Sequence, residues 1–195
     1  MEAKDLYLEI MIPSLHSARQ TSQGPAADDR LATLRHDFES SGSARIGFWY
    51  YMSAIRMQIN HRRYEAAYRF GLQLASLIDH EPAIHTVPNR AGVHMELAKI
   101  LIHLGQFEEA IEMAQEARRL FQSGMLNELY AIETLFFAYF RSQKLDLASK
   151  LIKDAASHRQ YGAHELTPGK WQYFKANVAF VKQEFNHSLA DLHHN

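Results

Sequence analysis

A glycine near the middle of the chain separates two segments with helical hydrophobic spacing. Apolar residues recur every three or four positions on both sides of Gly105, as expected for the buried face of a helix. The stripe before the glycine holds Val93, Leu97, Ile100, Leu101 and Leu104, and the stripe after it holds Phe107, Ala110, Ile111, Ala114 and Ala117. Because the connection is only a few residues long, we predict that the two helices form an antiparallel hairpin.

The same arrangement occurs at three other places in the chain. In each, a large apolar residue follows a short turn, and a small residue follows three positions later. The large residues are Tyr64, Phe107, Leu145 and Phe185, and the small residues are Ala67, Ala110, Ala148 and Ser188. The large residues are 43, 38 and 40 positions apart, so the pattern repeats in phase through most of the chain.

This pattern resembles the tetratricopeptide repeat. The matching residues are Leu97, Ala98, Gly105, Phe107, Ala110 and Ala117. The resemblance implies an all-α fold, a right-handed superhelical solenoid of antiparallel helix pairs, with about four pairs in residues 44–195. The spacing exceeds the family's common repeat of about 34 residues, which predicts longer helices or loops here. The last pair is expected to be incomplete at Asn195, and residues 1–43 are expected to form a degenerate N-terminal pair.

Local signals predict some of the helix boundaries. Ser43 is expected to cap the helix that follows it, because serine side chains accept hydrogen bonds from the first free backbone N–H groups. Pro82 and Pro88 are expected to bracket a loop that includes Asn89. Before Ser43, a shorter helical stripe is formed by Leu31, Leu34 and Phe38.

The resemblance also implies where a partner binds. In the family, the first helix of each pair lines a concave groove, and its contacting side chains recur four residues apart. Counted back from the four turn residues, these positions hold Met52, Arg56 and Asn60; Met95, Lys99 and His103; Glu133, Phe137 and Arg141; and Tyr173, Asn177 and Val181. Trp49 is a further aromatic residue expected on this face.

Three of these groove positions are basic. Arg56, Lys99 and Arg141 are expected to form a line of positive charge, which favours an acidic or carboxylate-bearing protein segment as the partner. The alternative is that they are ordinary solvated side chains on a helix surface. The family's carboxylate-clamp placement of Lys and Asn is not reproduced, so a chaperone C-terminal tail is not the first expectation.

Composition narrows the classes of function. Lys and Arg together number 21 and Asp and Glu 22, a net charge of -1, so no overall field favours nucleic acid or a membrane. The chain has no cysteine, which excludes disulfides and thiolate zinc sites. Its 12 histidines have no acidic framework around them, so neither a metal nor a cofactor is expected. No secretory signal is recognisable at the N-terminus, which predicts a cytoplasmic location.

The predicted function is a protein-binding or peptide-binding scaffold without catalysis. Two alternatives stay open: a regulatory or sensor module of a larger signalling or transcription-control protein, and an enzyme that uses its histidines. Self-association through the C-terminal helix pair is a further expectation. Phe185, Leu189 and Leu192 form an apolar stripe there with no following repeat to cover it.

Overall fold

The computed structural model describes residues 25–121, 126–157 and 172–183. Within these ranges every regular element is a helix. The helices are α1 (Pro25–Ser41), α2 (Ala44–Asn60), α3 (Tyr64–His80), α4 (Val87–Leu104), α5 (Phe107–Leu120), α6 (Leu126–Arg141), α7 (Leu145–Ser157) and α8 (172–183). Residues up to 93 form one compact unit and residues from 94 form another. The all-α prediction is therefore confirmed, whereas the first helix expected in residues 1–43 and the fourth copy of the pattern, from Phe185, lie outside the described residues.

The turns before α3, α5 and α7 have one backbone conformation in common. The residue two positions before each helix is left-handed, with φ of 57° at Arg62, 78° at Gly105 and 62° at Gln143. Its N–H donates to the carbonyl three residues back, and the next N–H donates to the carbonyl five residues back, as in Gln106 N to Leu101 O at 2.9 Å. These two hydrogen bonds form the Schellman motif, which ends a helix by satisfying its last carbonyls.

A fully buried alanine follows each of these turns. Ala67, Ala110 and Ala148 are each 0% exposed, as predicted from their position three residues after the large turn residue. Each alanine N–H donates to the carbonyl of the residue that precedes the helix, at 3.0 to 3.1 Å. A side chain no larger than a methyl group lets neighbouring helices approach closely at these points. Ser188, the fourth small residue, lies outside the described part of the chain.

In the unit up to residue 93, α1 packs on α2 and α2 on α3. Leu34, Ile46 and Tyr50 form a buried cluster, with the Phe38 ring packed against it. α1 and α3 both approach α2 closely at Gly47, where a Cβ atom would lie 2.6 Å from Phe38 Cε2 and 2.9 Å from Leu77 Cδ2. The helical stripe predicted before Ser43 is confirmed as α1.

In the unit from residue 94, α6 is the helix on which the others pack. It contacts both α5 and α7. Phe174 of α8 is 1% exposed, and its ring stacks on that of Phe136 of α6 with centroids 4.2 Å apart. α4 and α5 meet as the predicted hairpin, with His94 Nδ1 3.1 Å from Met113 Sδ.

Two ion pairs in this unit join residues 36 positions apart. Lys144 Nζ donates to Glu108 Oε2 at 2.6 Å, and Lys182 Nζ donates to Asp146 Oδ1 at 2.7 Å. Glu108 and Asp146 are both the second residue of their helix, so the same kind of contact recurs from one helix pair to the next.

The starts of two helices differ in detail from the predictions made for them. Ser43 occupies the N-cap position of α2, but its side chain makes no capping hydrogen bond. The helix that was expected to begin after Asn89 begins at Val87. Pro88 therefore lies in the first turn of α4, where a missing backbone N–H costs nothing because that group has no partner within the helix.

Candidate functional site

The predicted groove residues of the second unit lie on α4, α6 and α8. We call the surface that they form the α4–α6–α8 face, defined by Lys99 and His103, Phe137 and Arg141, and Tyr173. The Phe137 ring of α6 meets the Phe174 ring of α8 at 5.7 Å. The positive charge of Arg141 on α6 lowers the pKa of His103 on α4. His103 and Arg141 thus link α4 to α6, and Phe137 and Phe174 link α6 to α8.

His103 and Arg141 are the electrostatic centre of this face. Each lies four residues before the large turn residue of its own pair, so they hold equivalent positions in successive pairs. Partial burial of the imidazole lowers the pKa of His103 below the ordinary histidine value, and the nearby positive charge of Arg141 lowers it further. Arg141 is exposed. A carboxylate placed beside these two side chains would relieve the repulsion between protonated His103 and Arg141.

Aromatic side chains lie at the α8 end of the face. Phe137 is half-buried and meets the edge of the Phe174 ring at an interplanar angle of 81°. Tyr173 is 60% exposed, which leaves most of its ring available to a partner. Asn177 lies one turn further on, but its side-chain N–H donates to the Tyr173 backbone carbonyl at 2.7 Å. Its amide is therefore partly occupied by its own helix.

Lys99 differs from its predicted role as a free groove charge. Its Nζ lies 3.2 Å from Glu96 Oε1, and the Glu96 side chain is only 6% exposed. Because a buried carboxylate without a cation nearby is costly, Lys99 contributes to the stability of α4. Reversing the charge of Lys99 would therefore also disturb this pair, and Arg141 is the better residue for a test of binding.

The remaining predicted positions vary in accessibility. On α2, Asn60 is exposed, and both Arg56 and Trp49 are half-buried, with the Trp49 ring edge-on to Phe48 at 5.2 Å. Met52 is 7% exposed and presents little surface to a partner. Met95 on α4 and Glu133 on α6 are half-buried.

Sequence reasoning missed a cleft between α5, α6 and α7. It has a volume of about 670 Å³, and its lining includes Arg118, Leu135, Tyr139, Leu147 and Lys150. One signal was present in the sequence: Leu147 is apolar at the position, two after the large turn residue, where the preceding copy has Glu109. Leu147 is indeed 46% exposed.

No family model, curated protein or solved structure matches this chain. Among the residues that the structure describes, no cluster of three or more His, Asp or Glu side chains is arranged to hold a metal ion. Within those same residues, no helix is both long and apolar enough to cross a bilayer.

Proposed function

We propose that this protein is a helical-repeat scaffold, similar to the tetratricopeptide repeat proteins, that binds an acidic protein segment and catalyses no reaction. Three observations support the repeat assignment: the Schellman turns before α3, α5 and α7, the buried alanine after each turn, and the two ion pairs that span 36 residues. Stacked helix pairs of this kind form a solenoid whose first helices line one extended binding surface.

The single observation that carries the binding proposal is the electrostatic influence of Arg141 on His103 across the α4–α6–α8 face. Arg141 is a permanent cation, and His103 becomes a second one when it is protonated, in a chain with a net charge of only -1. Such local complementarity selects acidic partners and increases their rate of association. The exposed ring of Tyr173 adds an apolar contact, since aromatic side chains are enriched among the residues that dominate binding energy.

A peptide titration followed by NMR tests this proposal. The probe is an acetylated tetraglutamate amide, added to ¹⁵N-labelled protein while amide shifts and the His103 ring signals are recorded. We expect shifts at the ends of α4 and α6. We also expect the pKa of His103 to rise on binding, because a nearby carboxylate stabilises the protonated imidazole.

Charge reversal separates this face from the rest of the surface. Arg141→Glu should weaken binding of the tetraglutamate probe by about 1–2 kcal/mol, because it replaces attraction by repulsion. Arg69→Glu is the matched control, since Arg69 is an exposed arginine on the helix α3. If both variants weaken the probe equally, binding follows net charge alone and the α4–α6–α8 face is not the binding site.

A further inference from the structure

The cleft between α5, α6 and α7 lies on the side of α6 opposite the α4–α6–α8 face. Its α6 lining includes Leu135 and Tyr139, whereas Phe137 and Arg141 belong to the other face. At about 100° per residue, the mean directions of these two sets differ by roughly 180° around the helix axis. The cleft is therefore a separate surface, and what binds there does not depend on the function proposed above.

The floor of the cleft is apolar. Leu135 is 3% exposed and Leu151 is 6% exposed, so both are anchored in the core while part of each side chain lines the cleft. Leu147 projects further, with 46% of its surface exposed. Beside them, the Tyr139 hydroxyl accepts a hydrogen bond from Gln115 Nε2 at 3.0 Å, which fixes the position of the ring. An exposed apolar surface with a polar rim is a common feature of interaction sites.

The cations around the cleft are not equally available. Arg118, Arg119 and Lys150 line it with two anions, Glu128 and Asp154. Arg119 is already bound to Glu116 through two hydrogen bonds of 2.7 Å. Glu128 is buried and accepts from Arg118 Nε at 3.4 Å, so the two charges of this pair partly compensate each other. The Arg118 side chain is 32% exposed, and Lys150 is exposed on α7. Lys150 and the other guanidinium N–H groups of Arg118 can act on a ligand, while Asp154 disfavours a second negative charge.

The size of the cleft fits a short peptide. Sites for small ligands typically enclose about 300–1,000 Å³, and the value of about 670 Å³ here is within that range. We propose that the cleft binds a peptide segment in which one carboxylate is flanked by bulky apolar side chains. The apolar side chains contact Leu135, Leu147 and Leu151, and the carboxylate lies against Lys150 and Arg118.

Two short peptides test the chemistry of the site. The first is acetyl-Leu-Glu-Leu-amide, and the second is acetyl-Leu-Gln-Leu-amide, which has the same shape without the charge. Titrated into ¹⁵N-labelled protein, the first peptide should shift amides in residues 115–121, 135–139 and 147–154. It should bind roughly fivefold more tightly than the second, as expected for one exposed ion pair.

Matched variants on one helix test the location. Lys150→Glu should weaken the Glu peptide roughly fivefold, whereas Lys153→Glu should change its affinity less than about twofold. Both lysines are exposed on α7, but only Lys150 lines the cleft. Leu147→Ser should also weaken both peptides, and Leu72→Ser is its control because Leu72 is equally exposed, at 48%, on α3.

Several results would overturn the proposal. Equal affinity of the two peptides would show that the site does not recognise a carboxylate. Equal effects of Lys150→Glu and Lys153→Glu would show that the peptide does not bind in the cleft. Shifts confined to His103 and Arg141 would place this peptide on the α4–α6–α8 face, leaving the function proposed above intact. If the cleft amides shift on raising the protein concentration without peptide, its occupant is a second copy of the chain.

Discussion

The close approach of α1, α2 and α3 at Gly47 gives a quantitative test of the packing. Changing Gly47 to alanine adds a Cβ atom 2.6 Å from Phe38 Cε2 and 2.9 Å from Leu77 Cδ2. Favourable carbon contacts lie at about 3.5–4.0 Å, so both neighbours must move by about 1 Å. The Leu77 methyl group can rotate away. The Phe38 ring is held between the rings of Tyr50 and Tyr51, at centroid distances of 6.2 and 5.8 Å.

A second glycine in the same unit provides the reference. Gly92 lies within α4, and a Cβ atom there would meet nothing within 4 Å. Replacing a glycine by alanine inside a helix stabilises it by about 1 kcal/mol. Gly92→Ala should therefore stabilise the protein by about that amount. Gly47→Ala gains the same stabilisation from helix propensity but loses about 1–3 kcal/mol to overpacking. The net result for Gly47→Ala is a destabilisation of about 0–2 kcal/mol.

Urea unfolding of both variants, followed by circular dichroism, measures the difference. Both glycines lie in the unit up to residue 93, so one transition reports on both. In a Phe38→Leu background, Gly47→Ala should become less costly by about 1 kcal/mol, because the ring edge that it meets is gone. Equal changes in the free energy of unfolding for Gly47→Ala and Gly92→Ala would refute the close packing of α1 against α2.

Three further predictions concern the turns, the buried alanines and His103. Gln143→Gly should stabilise the protein by a few tenths to about 1 kcal/mol, because glycine adopts the left-handed conformation without steric cost, and a lower urea midpoint would contradict this. Ala110→Glu should destabilise it by several kcal/mol, because a charge is buried at a position that is 0% exposed; a thermal midpoint within a degree of the parent would mean that the central hairpin is not packed as described. Arg141→Gln should raise the pKa of His103, followed by NMR of its ring protons, because a positive neighbour is removed. A histidine whose pKa is lowered by folding costs stability as the pH falls below its unfolded pKa of about 6.5. Arg141→Gln should therefore lose less stability between pH 8 and pH 5 than the parent protein. Equal losses would show that Arg141 does not act on His103.

The helical periodicity was sufficient to predict the helix pairs, but not the conformation of every turn. Gly105 could be recognised because glycine commonly adopts positive φ at the end of a helix. Arg62 and Gln143 adopt the same conformation, at 57° and 62°, without any such sequence signal. In these two turns the left-handed conformation accompanies the Schellman hydrogen bonds that end the preceding helix, although the residue is not glycine.

The candidate site was predictable to a similar extent. Counting back from the turn residues placed His103 and Arg141 at equivalent positions, and the structure brings them together. The pairing of Lys99 with Glu96 is a local contact at three-residue spacing, and it was readable from the sequence. The cleft was not, because its shape depends on how α5, α6 and α7 pack and on how far Leu147 projects.

The central place of α6 in its unit has a consequence for folding. α5, α7 and α8 all pack on this helix, and the partners in the described ion pairs between helices are at most 36 residues apart. Chains whose contacts are this local fold quickly, because little loop entropy is lost before the contacts form. Because α5, α7 and α8 each pack on α6, this helix cannot unfold locally without breaking its contacts with all three. Its backbone amides should therefore be the last of this unit to exchange with solvent.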